Sequence, residues 1–357
     1  MEKNYDELIG RVKARYNPAA IDESTLLNES LRVELKALSG SKVMEYVKRS
    51  KQGVEPTYTQ NTIVAGDKVK THLKNNNPKL DYEYQGSVMS NTYIRGYSDI
   101  DLVQLCNKFY GHDLRTEFTE EYRKSNLTEK QRRALLEVID GSIYTGNANQ
   151  DLRTMRLEAE SVLDAVYNDI DISKDKSIEV NLTNPKRKVD VVTASWYRSV
   201  KSSKSGDKTD KGICIYDKNK DVRLPVDYPF LKIKMLNDKD KIVNGRLKKM
   251  IRFLKTIKAD SDIKIKINSF DISSVCYNID SISYYNKPYY ELVYVLQVEL
   301  GKIIADEFYR NNIKSIDGTE YIFKDKPEKY GQLLMLLNEL NTIKKDLVDN
   351  NAITRFL

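Results

Sequence analysis

The chain has 357 residues, 40% of them hydrophobic, and a formal net charge of +7. This length favours two domains over one, and the apolar fraction argues against a wholly disordered chain. The three Cys form no Cys-x-x-Cys pair and there are only two His, which argues against a disulfide scaffold, a zinc site and a Ser-His-Asp triad. Any chemistry therefore rests on carboxylates, hydroxyls, Lys and Arg.

The hydropathy pattern predicts no contact with a membrane. No segment approaches the ~18 apolar residues that a spanning helix needs. The opening stretch MEKNYDELIGRVKARY is charged and lacks the apolar run of a signal peptide. We therefore expect a cytoplasmic protein.

The predicted elements begin with a helical region, 1–52, which contains LLNESLRVELKAL and VMEYVKRS. After a break at 52–60, apolar residues recur every three or four positions and predict helices, which lie at 59–76, 127–140, 150–169, 241–258, 269–280, 288–311 and 328–350. Aromatic and β-branched runs predict strands at 82–89, 99–106, 176–183 and 188–196. The polar stretch 199–212 is predicted to be an exposed loop. The middle third is therefore mixed α/β with a small sheet.

Positive charge is concentrated in residues 186–258, which hold 21 Lys and Arg against 8 Asp and Glu, a net charge of +13. Such a stretch attracts polyanions, so it predicts contact with nucleoside triphosphates or with nucleic acid. A solvated lysine-rich surface is the other interpretation of the same composition.

The motif with chemical content is YQGSVMSNTYIRGYSDIDLV, residues 84–103. A predicted strand ends at Gly86 and Ser87, and after eleven residues Asp99-Ile-Asp101 opens the next strand. Alternation along a strand places Asp99 and Asp101 on one face. Because two neighbouring carboxylates repel each other, this pair predicts a divalent cation, and oxygen ligands of this kind suit Mg²⁺.

A third carboxylate, Asp190, lies in the apolar predicted strand KVDVV. Three carboxylates on neighbouring strands can hold two metal ions, one activating a hydroxyl and the other neutralising a leaving pyrophosphate. Gly86 would allow the backbone to approach a phosphate closely, and Ser87 would offer its hydroxyl and N–H. Each part alone has an ordinary structural interpretation, such as a turn or a pair of surface acids. Their conjunction favours nucleotidyl transfer.

This conjunction resembles the DNA polymerase β-like nucleotidyltransferase superfamily, and within it the branch of oligoadenylate synthase and the bacterial cGAS/DncV-like enzymes (CD-NTases). The helix at 59–76 resembles the spine helix of that branch. GRLKKMIRFLKTIK followed by INSFDISSVCYNI is similar to its helical lobe. The resemblance covers roughly residues 57–350.

The resemblance implies roles for individual residues. Asp99, Asp101 and Asp190 would bind two Mg²⁺ ions, for which Mn²⁺ can substitute, and Asp190 would lie closest to the attacking hydroxyl. The residues implied in binding the nucleotide are Gln85, Gly86, Ser87 and Lys255. Lys255 has a second interpretation, together with Lys248 and Arg252, as part of a solvated helix face. Arg95 would contact a phosphate or stabilise the turn.

The implied fold is a two-lobed α+β nucleotidyltransferase, with a small mixed sheet in the catalytic lobe and a helical C-terminal lobe. We expect a helical lead-in at 1–56, the catalytic lobe at 57–215, the helical lobe at 216–357, and a cleft between the lobes. The implied function is Mg²⁺-dependent joining of NTPs or dNTPs into a cyclic or short linear oligonucleotide that activates an effector protein in antiphage defence.

Three alternatives remain open at this point. A template-independent polymerase, or an enzyme that adds nucleotides to tRNA, would use the basic stretch 186–258 to hold a long product. A binding module on a degenerate transferase fold is disfavoured, because all three acids and the Gly-Ser pair are present. An NTP-using toxin that modifies a protein or small molecule is the third.

Overall fold

The computed structural model describes residues 3–15, 41–96 and 99–349. The described chain divides into two compact units, one containing 56–90 and 99–234 and the other built from the described parts of 1–55, 91–98 and 235–357. We call the first the sheet unit and the second the helical unit. The sheet unit extends past the predicted division at 215/216, because the strand Gly212–Asp217 crosses that point and pairs with its sheet.

The strands of the sheet unit are β1 Asp81–Gln85, β2 Ile100–His112, β3 Ile170–Asp171, β4 Ser177–Thr183, β5 Lys186–Arg198, β6 Gly212–Asp217 and β7 Val222–Arg223. Their order is β1-β2-β5-β4-β3, with β6 on the far part of β5 and β7 on β6. Only the β2–β5 pair, among these described strands, is parallel, so the sheet is mixed as predicted.

The helices of the sheet unit are α3 Pro56–Asn76, α4 Gly86–Met89, α5 Arg115–Tyr122, α6 Glu129–Ile139, α7 Ala148–Asp164 and α8 Val200–Ser205. Apolar side chains of α3 and α7 pack on the valine- and isoleucine-rich face of β2, β4 and β5, with Val69, Leu163 and Val191 fully or almost fully buried. This packing explains why the sequences of these strands are rich in apolar residues, since the covered face must be apolar.

Two further α-helices of the described chain precede residue 56, α1 Tyr5–Arg15 and α2 Lys42–Ser50. The α-helices from residue 229 onward are α9 Pro229–Ile242, α10 Arg246–Asp260, α11 Ser269–Asn278, α12 Leu292–Ala305, α13 Glu307–Asn311 and α14 Pro327–Asp349. The core of the helical unit includes Phe253, Leu296 and Leu336. No described helix is both long enough and apolar enough to cross a membrane.

Most predicted elements are confirmed within a few residues, including the helices at 59–76, 127–140 and 328–350 and the strands at 176–183 and 188–196. Within 1–52 the structure describes α1 and α2, and the predicted helix LLNESLRVELKAL lies outside the described residues.

Four predictions of local structure are wrong. The helix predicted at 241–258 is interrupted because Asn244 and Gly245 adopt positive φ, so α9 ends and α10 begins there. The helix predicted at 288–311 is broken at Asp306, whose side chain caps α13. The strand predicted at 82–89 ends at Gln85, where α4 begins. The loop predicted at 199–212 contains α8, which Ser199 caps with its side chain.

Candidate active site

The three predicted acids lie on the same part of the sheet. Asp99 directly precedes β2, and Asp101 lies opposite Asp190 in the parallel pairing of β2 with β5. The neighbours Ile100 and Val189 are fully buried in the apolar core. Because side chains alternate along a strand, the carboxylates lie on the opposite face from that core.

Gly86 lies against one of these acids. It follows β1, whose last residue Gln85 pairs with Asp101, and its φ of +83° is one that residues with a side chain rarely adopt. A Cβ atom built on Gly86 would lie 1.9 Å from Asp101 Oδ2. Only glycine leaves room for the carboxylate in this position. Gln85 and the following Ser87 are half-buried.

Burial, together with the proximity of the acids, raises the pKa values of Asp99 and Asp101. The pKa of Asp101 rises to about 7, first because of burial and then because of the charges of Asp190 and Asp99. The pKa of Asp99 is also raised, by burial and then by Asp190. Accumulated negative charge of this kind is what a divalent cation neutralises, and carboxylate oxygens are the ligands Mg²⁺ prefers. The carboxylate oxygens of these acids are therefore chemically suitable ligands for Mg²⁺.

The side chains of the three acids nevertheless do not together surround one metal-binding position in the structure. Within 3–15, 41–96 and 99–349, no three Asp, Glu, His or Cys side chains converge into a group that could hold a metal ion. Asp190 instead faces a cation of the protein: Lys174 Nζ lies 3.4 Å from Asp190 Oδ1. Ser177 Oγ lies at the same distance from this oxygen.

Lys174 was missed by sequence reasoning. It lies in the turn between β3 and β4, and its ammonium also donates to Glu179, which faces Asp190 across the β4–β5 pair. Lys188 Nζ donates to the other Glu179 oxygen at 2.7 Å. Hydrogen bonds from these two lysines lower the pKa of Glu179 to about 2. A charged turn residue carries no sequence signal for such a contact.

Lys255 belongs to the helical unit, on α10. Its side chain is buried and its ammonium donates to the carbonyl of Thr92 at 2.9 Å. Burial, followed by the charge of Arg252, lowers the pKa of Lys255 to about 8. The interpretation of Arg252 and Lys255 as a solvated face is therefore wrong, since both are at most 5% exposed. Arg95 pairs with Glu55 at 3.0 Å, which fits its interpretation as a turn-stabilising residue.

The basic stretch 186–258 does not form one free surface. It is divided between the two units. Many of its lysines form ion pairs with acidic side chains, namely Lys188, Lys201, Lys204, Lys208, Lys218, Lys232, Lys234 and Lys248. The predicted contact with nucleic acid gains no support from this arrangement.

Comparison with known proteins decides the family. Residues 234–344 match the family model of the cGAS/DncV-like nucleotidyltransferase C-terminal helical domain. A c-di-GMP synthase of Flavobacteriaceae sp. genome_bin_11 is 43% identical, and the alignment covers 97% of this chain and 98% of that protein. The chain belongs to the CD-NTase family. A c-di-GMP synthase of Capnocytophaga granulosa is 38% identical over 97% of this CD-NTase and 98% of the relative.

Solved structures agree with this placement. The structure of a STING-associated CdnE c-di-GMP synthase from Flavobacteriaceae sp. matches this CD-NTase with a TM-score of 0.85 at 42% identity, covering 98% of this chain and all of the other. A c-UMP-AMP synthase of Rhodothermus marinus, at 20% identity and a TM-score of 0.61 over 83% of this chain and 95% of the other, shares the fold. The two-lobed α+β nucleotidyltransferase fold is thus confirmed.

Membership establishes the class of reaction. This CD-NTase is a nucleotidyltransferase that joins nucleotides into a cyclic or short linear oligonucleotide messenger, as the sequence predicted. This class of reaction argues against the two alternatives of a binding module and of a toxin.

Proposed function

We propose that this CD-NTase converts two molecules of GTP into c-di-GMP. The observation that carries the proposal is that three relatives, between 38% and 43% identical over nearly the whole chain, are all named c-di-GMP synthase. Base choice depends on many contacts of the folded chain, so similarity that extends over the full length is the relevant support.

The metal ligands in this proposal are Asp99, Asp101 and Asp190, with two Mg²⁺ ions and Mn²⁺ as a substitute. Support comes from the opposed positions of Asp101 and Asp190 and from the raised pKa of Asp101, which is due first to burial and then to the negative charges of the neighbouring acids. Divalent cations held by these acids would lower the pKa of the attacking hydroxyl and would neutralise the leaving pyrophosphate.

Gln85, Gly86 and Ser87 form the proposed triphosphate-binding segment. Gly86 begins α4 with positive φ, and the side chain of the preceding Gln85 does not cap this helix with a hydrogen bond. We propose that the N–H groups of Gly86 and Ser87 donate to an anionic phosphate oxygen at the start of this turn. Lys255 is the proposed further phosphate ligand, and it would exchange its hydrogen bond to Thr92 for one to a phosphate oxygen.

The reaction balances without any further reactant. A ribose hydroxyl of one GTP attacks the α-phosphorus of the other, forming a P–O bond and breaking the bond to the bridging oxygen of the β-phosphate. Pyrophosphate leaves, and the hydroxyl proton passes to Asp190, the acid proposed to lie closest to it. A second transfer in the opposite sense closes the ring.

The test is to incubate the purified protein with each labelled NTP and dNTP, singly and mixed, with Mg²⁺ or Mn²⁺, and to resolve the products after phosphatase treatment. We expect a phosphatase-resistant product from GTP alone that co-migrates with c-di-GMP and is absent with Asp99→Ala/Asp101→Ala. A product that requires a second base would overturn the choice of GTP, and a ladder would favour the polymerase alternative.

We further propose that the product acts on an effector protein of the STING type in antiphage defence. Support comes from two solved relatives that are described as STING-associated. A STING-type protein encoded beside this chain should bind the purified product, and failure of that binding would remove the proposed partner. A cytoplasmic location stays a prediction.

A further inference from the structure

Lys174 is held in place by the framework of the sheet unit. Arg156 on α7 is fully buried, and its guanidinium donates to the carbonyls of Lys174 at 3.0 Å and of Ser177 at 2.9 Å. Asp171 accepts from the backbone and the hydroxyl of Ser173 in the same turn. The backbone that carries Lys174 is therefore anchored to α7, and its side chain extends to the acids of β4 and β5.

The ammonium of Lys174 is shared between two acids. It donates to Glu179 and lies 3.4 Å from Asp190 Oδ1, and its side chain is 38% exposed. Glu179 also forms an ion pair with Lys188 at 2.7 Å. Glu179 therefore has a cationic partner whether or not Lys174 also contacts Asp190. The closer partner of Lys174 is thus Glu179, and its contact with Asp190 is the longer one.

We propose that Lys174 is the resident counter-cation of Asp190, which a divalent metal ion must displace to bind there. The inference rests on the proposed role of Asp190 as a metal ligand. Carboxylates that accumulate on one face repel each other, and the ammonium offsets this charge while no metal is bound. Displacement requires no refolding, because Lys174 keeps its hydrogen bond to Glu179.

This arrangement has a consequence for the order of binding. An ammonium beside Asp190 competes with a metal ion for the same oxygen, so it weakens metal binding by the protein alone. A metal ion that arrives with a nucleotide brings phosphate oxygens as additional ligands. Lys174 thereby favours entry of the metal ion together with the triphosphate over entry of the free ion.

The test measures Mn²⁺ binding to the full-length, nucleotide-free protein, with free Mn²⁺ counted by electron paramagnetic resonance. Lys174→Met should bind Mn²⁺ at least fivefold more tightly than the unmodified protein, and Lys174→Arg, which keeps the positive charge, should restore weak binding. Lys108→Met is the charge-matched control, since Lys108 pairs with Asp151 away from the acids. It should shift the affinity by less than twofold.

Unchanged or weaker Mn²⁺ binding by Lys174→Met, with an unchanged melting temperature, would overturn the inference. Such an outcome differs from structural damage, which would lower the melting temperature and weaken binding together. Lys174→Gln provides a second uncharged variant with the same expectation. Asp190→Asn tests the metal site itself. If this variant binds Mn²⁺ as tightly as the unmodified protein, Asp190 is not a metal ligand and the proposed metal site is wrong. This outcome is distinct from failure of the proposed role of Lys174 alone.

Discussion

Gly86 and Asp101 share one small volume: the carboxylate oxygen of Asp101 lies where a side chain on residue 86 would begin. Glycine is thus required at position 86 for two reasons. Its φ is +83°, and a side chain there would occupy the space of the Asp101 carboxylate. The structure thus places the Gly-Ser motif in direct contact with the acidic motif that begins eleven residues beyond it.

Gly86→Ala should therefore remove most of the activity. The methyl group would displace the Asp101 carboxylate, and positive φ costs a residue with a side chain about 1–2 kcal/mol. We expect product formation to fall at least a hundredfold. Gly96→Ala is the matched control, because Gly96 has φ +81° but no atom of the described residues beyond its chain neighbours lies within 4 Å of its Cβ position. Equal losses in the two variants would show that backbone strain, and not the space for Asp101, is responsible.

Asp101→Asn should separate catalysis from stability. The folded-state pKa of about 7 lies above the ordinary value of 3.8, so ionised Asp101 costs stability progressively as the pH rises from about 4 to 7, with the full cost above 7. In the absence of metal, Asp101→Asn should raise the melting temperature at pH 8 and leave it nearly unchanged at pH 4, while product is lost. Melting curves at both pH values, recorded in EDTA, provide the measurement. A variant that melts lower at pH 8 would contradict the expectation.

Arg156→Met should destabilise the protein strongly. It removes one partner of a buried ion pair with Glu160 and the two hydrogen bonds to the β3–β4 turn, a loss of about 3 kcal/mol. Urea denaturation measures the change. Arg153→Met, one turn away on α7, is the control, because Arg153 is half-exposed and pairs with Asp221 at 3.8 Å. Its loss should stay within about 0.5 kcal/mol. Similar losses in the two variants would mean that burial of Arg156 does not matter.

Lys255→Met should weaken nucleotide use without weakening the fold. The pKa of about 8 is below the ordinary value of 10.5, so the buried ammonium costs stability below pH 8, and this cost disappears as the pH rises towards 10.5. The variant should melt no lower than the unmodified protein at pH 7. A lost charged hydrogen bond to phosphate, about 2 kcal/mol, predicts a rise in KM for GTP of roughly thirtyfold. The control is Lys258→Met on the same helix, for which KM should not change. An unchanged KM for Lys255→Met would contradict the proposed contact of Lys255 with phosphate. The hydrogen bond to Thr92 would then indicate a structural role for Lys255.

The sequence alone determined the elements whose signals are local. The alternation of Asp99, Ile100 and Asp101 in an apolar strand indicated which face the acids occupy, and the motif around Gly86 and Ser87 indicated nucleotidyl transfer. The helix at 59–76 and the strands at 176–183 and 188–196 follow from periodicity within one segment. Such features need no information about distant parts of the chain.

The tertiary structure alone decided the relationships between distant segments. Parallel pairing places Asp101 opposite Asp190, and the return of the chain from β1 places Gly86 against Asp101. The contact of Lys174 with Asp190 and the burial of Lys255 depend in the same way on which elements pack together. Periodicity describes neighbours along a helix or strand, whereas these contacts are set by sheet register and by the packing of the core.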